Sequence, residues 1–506
     1  MYILIYYTSI EWDHIMHDWH WEIQNKDYLR NTIERCRRQN ILLPTFKQLK
    51  YPDTIPQLLI DKLKKIGLQD THPLNLFRIN WCNDHVNGGI GDINYIEIPS
   101  QITGIKARIV GLVGKFFPTG AHKVGATYGC LAPYMVSGKI NPEYHKAVWP
   151  STGNYCRGGV FNSNLLDVPS VAILPEEMSK ERFDWLRERT EEIYATPGCE
   201  SNVKEIYDKC HELSAKSDSY IILNQFSEFG NAIWHYEITG YTIEKLFLKI
   251  GSENSRLSGF VSATGSAGTI AAGDYLRTMA PQIKVLGAEA LQCPTLLLNG
   301  FGGHRIEGIG DKHIPWIHNI RNTDVITAID DEKALRLLRL FNEPSGHQYL
   351  QNIGVPKDVT KKMPYLGISS TANLIASVKL AKYFEFNEND IIFTIFTDSA
   401  DMYLSRLVEM NRDLRKYSDV QAQIDHEICL KHASVDYLKE LSYTDKKRIH
   451  NLKYFTWIEQ QGKEVEELNA QWYDENYWRE RFSIVPHWDR LIEEFNNATG
   501  LASEYA

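Results

Sequence analysis

The 506-residue sequence predicts an α/β fold in which parallel sheets are covered by helices. Between about residues 72 and 407, short apolar runs alternate with helical patterns, and that alternation is the mark of strands joined by crossover helices. The clearest strand-like runs are residues 110–113, 171–174, 220–223, 285–287 and 391–393. Three segments rich in Gly, Ser, Thr and Asn follow such runs. Parallel sheets bind ligands at the carboxyl ends of their strands, so the polar segments fall where a site belongs.

In chain order, residues 1–70 read as an extension, a strand followed by helices, with a basic run at Arg35–Arg38. Within it, His14, His17 and His20 lie near Asp13 and Asp18. The interleaved Trp12, Trp19 and Trp21 make the segment read as amphipathic packing, and no metal site is expected. After the run at 110–113 comes Pro118-Thr119-Gly120-Ala121-His122-Lys123-Val124-Gly125. Lys123 has small neighbours that leave room beside its amine for something flat and bulky. A crowded lysine loses part of its charge and becomes a usable nucleophile and base, able to form Schiff bases with carbonyl compounds. His122 reads as support for this loop.

The strand-like run 147–149 leads into Ser151-Thr152-Gly153-Asn154-Tyr155, where hydroxyls, an amide and backbone N–H groups collect at a strand end. That is a natural clamp for a carboxylate. Cys156 next to it reads as a packing thiol, and Arg157 as a surface salt bridge. Further on, 259–262 reads as a strand and 270–279 as a helix, and Thr264-Gly265-Ser266-Ala267-Gly268-Thr269 joins them. Glycines and small residues at a helix N-terminus let several N–H groups converge on an anion, usually a phosphate. The loop lacks the Gly-Lys-Ser/Thr ending of a Walker loop and the spacing of a dinucleotide fingerprint. Lastly, Phe393-Thr394-Ile395-Phe396-Thr397-Asp398-Ser399 is an apolar strand that ends in an acid and a hydroxyl, either of which can face a ring nitrogen. Glu289 lies near another strand end.

Taken together and in this order, the segments resemble the fold-type II pyridoxal-phosphate enzymes, the superfamily of tryptophan synthase β, cysteine synthase and cystathionine β-synthase. The resemblance runs from about His72 to Leu407 and includes Asn224-Gln225-Phe226, His304-Arg305-Ile306-Glu307-Gly308-Ile309-Gly310 and Gly367-Ile368-Ser369-Ser370. It implies two open, mostly parallel sheets: a smaller subdomain over 71–240 with the lysine and carboxylate loop, and a larger one over 241–407 with the phosphate loop. It implies that Lys123 forms the Schiff base with pyridoxal 5'-phosphate and acts as the catalytic base. Thr152, Gly153, Asn154 and Gln225 would hold the substrate carboxylate, with Asn154 also touching the cofactor. Gly265, Ser266, Ala267, Gly268 and Thr269 would hold the phosphate. Ser399 would bond the pyridine nitrogen, with the adjacent Asp398 as the alternative.

The activity the resemblance implies is β-replacement on an amino acid with a β-leaving group, cysteine-synthase-like, through an aminoacrylate attacked by a small nucleophile. The rivals are a β-eliminating lyase of the serine/threonine dehydratase or desulfhydrase type, and a non-catalytic cofactor-binding scaffold. Family analogy implies a homodimer.

Composition narrows the classes. A net charge of −9 argues against a nucleic-acid partner. Eight scattered cysteines without a Cys-x-x-Cys pair indicate neither a disulfide framework nor a zinc site. The opening Met1–Tyr7 is apolar but has no basic leader or cleavage site, and no apolar run approaches the ~18 residues that span a membrane. A cytoplasmic location is the expectation. From about 408 to 506 the chain becomes charged, helical and aromatic-rich, an extension expected to pack on the body or on another subunit.

Overall fold

A computed structural model describes residues 22–151, 153–190, 192–199 and 201–505. The expected N-terminal strand, the histidines at 14, 17 and 20, and Thr152 lie outside the described residues. Two sheets carry the fold. The larger contains β1 (Tyr95–Ile98), β2 (Arg108–Val113), β7 (Arg256–Ala263), β8 (Lys284–Ala290), β9 (Val325–Ile329), β10 (Asp390–Phe396) and β11 (Leu438–Glu440). The smaller contains β3 (Lys146–Pro150), β4 (Ser170–Pro175), β5 (Glu192–Thr196) and β6 (Tyr220–Ile222).

The seven strands run in the order β1-β2-β10-β7-β8-β9-β11, and the four in the order β5-β4-β3-β6. Every pairing is parallel except the two at the edges of the larger sheet, β1 with β2 and β9 with β11. The interior strand β10 is buried at all its positions, as expected where helices cover both faces. Its register sets Phe393 beside Val110 on one side and Phe260 on the other. Strands β1 and β2 precede Lys123 in sequence yet hydrogen-bond into the larger sheet. The chain therefore starts this sheet, leaves to build the smaller one, and returns.

Both extensions clasp the body. Leu43 N–H donates to Asn496 Oδ1 (3.1 Å) and Asn496 Nδ2 donates back to Leu43 O (2.8 Å), which joins the N-terminal segment to the helix Val485–Thr499. Lys453 is buried and donates to Trp316 O, His318 O and Gln471 Oε1 at 2.9, 2.8 and 2.6 Å. An ammonium has three donors, and here each finds an acceptor, so its burial is compensated. Trp457 Nε1 adds a bond to Ile314 O at 2.8 Å. The C-terminal extension also supplies β11, a strand inside a region expected to be helical. Among the described residues, no helix is long and apolar enough to cross a membrane.

Candidate active site

Lys123 opens the helix Lys123–Val136, directly after a loop in which Thr119 has φ 71°. Its Nζ donates to Ser266 Oγ at 2.9 Å, which joins the lysine loop to the glycine-rich loop after β7. Asn231 Nδ2 donates to the same hydroxyl at 3.0 Å and to Gln225 O at 2.9 Å. Ala267 has φ 59°, and the helix Ala271–Met279 follows. Among the described residues, the backbone N–H groups of 265–269 donate to no protein acceptor. Donors of this kind at a helix N-terminus are suited to an anion.

Two imidazoles back this loop. His122 Nε2 lies 3.2 Å from Thr269 Oγ1 and its Nδ1 lies 3.3 Å from Thr397 O. His235 Nε2 lies 3.5 Å from the same threonine hydroxyl. Burial, with the Lys123 charge beside it, pushes His122 down to about 3, and burial holds His235 well below its ordinary value. Both rings are neutral near pH 7. They serve the loop as hydrogen-bonding partners, not as cations.

The loop expected to hold a carboxylate is arranged around Ser151. Its Oγ accepts from Gly153 N–H (3.1 Å) and from Gln225 Nε2 (3.2 Å), which brings Gln225 to the loop across the smaller sheet. Gly153 has φ 155° and ψ −92°, and a Cβ there would lie 2.4 Å from Arg182 Nη1, so glycine is required on both counts. Asn154 begins the helix Asn154–Leu165 and donates through Nδ2 to Asp398 Oδ2 at 2.6 Å. Its Oδ1 is buried without a partner among the described residues.

The tip of β10 divides its two candidates. Asp398 Oδ2 accepts from both Asn154 and Tyr403 Oη (2.7 Å), and burial raises the acid above its usual range. Ser399 Oγ donates instead to Asp401 Oδ2 at 3.1 Å, and Asp401 pairs with Lys115. Arg157 is not the surface salt bridge expected of it. It is 5% exposed, donates to Met402 Sδ (2.7 Å) and Thr119 O (3.2 Å), and packs over Trp185, because the helix turns its face inward there. Burial lowers it to about 9. Cys156 is fully buried and pushed up to about 12 by burial, which suits a packing thiol. Glu289 accepts from Leu296 N–H and Leu297 N–H, both at 2.8 Å, and so braces its own loop.

Asn231, His235, Arg182 and Tyr403 were not singled out from the sequence. Asn231 and His235 stand four apart in one helical stretch, a spacing that puts both on one face. The helix there widens into a π turn over His235–Gly240, a feature often found at functional positions.

The family described as "Pyridoxal-phosphate dependent enzyme" matches residues 91–348, slightly more than half of the chain. The chain belongs to this family. Cysteine synthase B of Campylobacter jejuni is 28% identical over 289 residues, covering 57% of this chain and 87% of the relative. Cystathionine beta-synthase of Saccharomyces cerevisiae is 25% identical over 322 residues, 62% of this chain; the match spans 60% of the yeast protein's length. Among solved structures, O-acetyl serine sulfhydrylase isoform 3 of Entamoeba histolytica superposes with a TM-score of 0.54 at 22% identity, covering 67% of this chain and 93% of that one. A hydrogen sulfide-producing enzyme of Fusobacterium nucleatum gives 0.53 at 22%, covering 61% and 96%. These superpositions show that the two-sheet fold is shared.

The residues present fit pyridoxal phosphate. The loop 265–269 forms a cradle with Asn231 packed tightly against it: a Cβ at Gly268 would collide with that side chain, 1.9 Å from an Oδ1 that is buried without a hydrogen-bond partner among the described residues. Gly268→Ala is therefore expected to weaken cofactor binding about tenfold or more, in line with ~1–3 kcal/mol for overpacking. Titration of the apoprotein with pyridoxal phosphate, followed by absorbance, measures it; unchanged affinity would contradict the cradle.

Proposed function

We propose that this enzyme replaces the β-substituent of an amino acid with a small nucleophile, in the manner of a cysteine synthase. One observation carries the reading: the Lys123 amine, at a helix start, reaches the Ser266 hydroxyl of a loop whose N–H groups have no protein acceptor among the described residues. The names of the related cysteine synthase and cystathionine β-synthase sequences support chemistry at the β-carbon. Their identities of 28% and 25% leave the donor and nucleophile to experiment.

When bound, pyridoxal phosphate supplies a sink for electrons released at the substrate's α-carbon. In the proposed assignment, residues 265–269 hold its phosphate and Lys123 holds its aldehyde carbon at rest. Gly153, Asn154 and Gln225, with Thr152, grip the substrate carboxylate. With the cofactor bound, Lys123 Nζ would take the substrate's α-proton and later return it. Ser399 is the proposed partner of the pyridine nitrogen, because Asp398 is engaged by Asn154 and Tyr403. A hydroxyl need not keep that nitrogen protonated, which weakens the sink and favours prompt loss of a β-substituent over transamination. The homodimer belongs to the same proposal.

The test is to mix the purified enzyme with O-acetylserine and record the visible spectrum with and without sulfide. A lasting new absorption that sulfide discharges, with cysteine formed, is the expected result. Steady pyruvate release without added nucleophile would instead make the enzyme a β-eliminating lyase. No response to any amino acid would overturn both.

A further inference from the structure

Five acids are raised by burial among the described residues: Asp274, Glu289, Asp311, Asp398 and Asp489. Four of them are held by hydrogen bonds. Asp274 accepts from Asn319, Glu289 from Leu296 and Leu297, Asp398 from Asn154 and Tyr403, and Asp489 from Phe46 and Lys47. Asp311 differs. It is 7% exposed, Oδ2 is fully buried, and its carboxyl has no hydrogen-bond partner among the described residues. A buried acid without a partner is costly and calls for a reason.

Its backbone is fixed against the active site. Gly310 N–H donates to Thr264 O at 2.9 Å, at the start of the phosphate loop, and Gly310 O lies 2.8 Å from His304 Nε2. Thr295 Oγ1 donates to Asp311 O at 2.9 Å. The next residue but one, His313, meets Tyr207 Oη at 3.1 Å and packs on Phe226, beside Gln225. Asp311 is thus pinned between the phosphate loop and the carboxylate-loop side, and the charge of Lys123 acts on it. Tyr207 and Cys293 are the other titratable groups in its field, and His304 and His313 flank it in sequence. Burial raises Asp311 to about 7, opposed by Lys123, so both protonation states are available near neutrality.

We propose that Asp311 is the acid–base group for the nucleophile and leaving group at the substrate's β-carbon, separate from the α-proton transfers of Lys123. This deepens the proposed function and rests on it. As the leaving group Y departs with the C–Y electrons, protonated Asp311 gives its proton to Y. The carboxylate so formed takes the proton from a nucleophile X–H while a lone pair on X forms the C–X bond. The π electrons of the unsaturated β-carbon move to the α-carbon, which receives its proton from Lys123. The sum is R–Y plus H–X giving R–X plus H–Y. The assignment selects nucleophiles that carry a proton, thiols or water, over anions that need no base.

Asp311→Asn tests it with two nucleophiles. With a thiol the addition rate should fall about 10²-fold, while with azide, which has no proton to lose, it should stay within about twofold. In the wild type, the thiol rate should carry a limb near pH 7, rising as the carboxylate forms; this needs no variant to fold. Infrared difference spectra across pH should show a protonated carboxyl band lost near pH 7 that is missing in Asp311→Asn, the Asp274 contribution being common to both. Equal loss with thiol and azide, an unchanged thiol rate, or no limb in the wild type would overturn the assignment. Borohydride labelling separates the two readings. Label on Lys123 in both proteins with equal rates rejects Asp311 alone, whereas no label in the wild type rejects the cofactor reading and Asp311 with it.

Discussion

Replacing Lys123 with alanine is expected to abolish turnover, with a loss of 10²–10⁴-fold or more for the missing acid–base group alone. The missing covalent tether adds to that loss. The variant should still fold. Lys123 sits at the first position of its helix, where the amine donates to Ser266, and Asn231 continues to hold that hydroxyl. Cofactor should therefore still bind, more weakly, through residues 265–269. Borohydride reduction followed by peptide mapping should label position 123 in the wild type and leave the variant unlabelled. Full activity in Lys123→Ala would end the assignment, as would a label placed on another lysine.

Much of this arrangement was legible because the site is built at strand ends. The runs at 110–113, 171–174, 220–223, 285–287 and 391–393 coincide with β2, β4, β6, β8 and β10, whose apolar runs are nearly continuous, and all of these but the half-buried edge strand β6 are interior and well buried. The strands not foreseen have mixed patterns or lie at edges. Strand β1 alternates polar and apolar residues, β5 is half-exposed, and β11 has three residues inside a charged segment. Strand β9 is fully buried, but its Val-Ile-Thr-Ala-Ile run is followed by an acidic helix start rather than a glycine-rich loop. At the site, Lys123, Gly153 and the loop 265–269 announce themselves by small neighbours. Asn231, His235 and Asp311 do not. Each lies well along the chain from the group it acts with, and only the folded arrangement sets Asn231 beside Ser266, His235 beside Thr269 and Asp311 within the field of Lys123.

The same packing creates a second large sensitivity. Arg182 is completely buried and pairs with Glu307 at 2.9 Å, the glutamate being 4% exposed. Arg406, one-third exposed, reaches the other carboxylate oxygen at 3.0 Å. Arg182 Nη2 also donates to Tyr403 Oη at 3.2 Å, and Tyr403 holds Asp398. The helix Lys180–Arg187, which follows β4 of the smaller sheet and carries Arg182, is thereby tied to the segment after β10 and to the loop around Glu307. Replacing one partner of such a pair strands the other in a medium that cannot solvate it, at a cost of about 3–5 kcal/mol. Arg182→Met is expected near the lower figure, since Arg406 still neutralises part of Glu307. The urea midpoint and Tm should both fall. Removing the charge at both positions, Arg182→Met with Glu307→Gln, should recover most of the loss, because an uncharged pair has no desolvation to offset. Activity should not recover with it. Gly153 lies directly under Arg182, so the loop proposed to hold the substrate carboxylate loses its backing in both variants, and KM for the amino acid should stay raised while stability returns. A double variant that regains neither stability nor KM would show that the arginine acts by filling space, and one that regains both would detach this pair from the carboxylate loop.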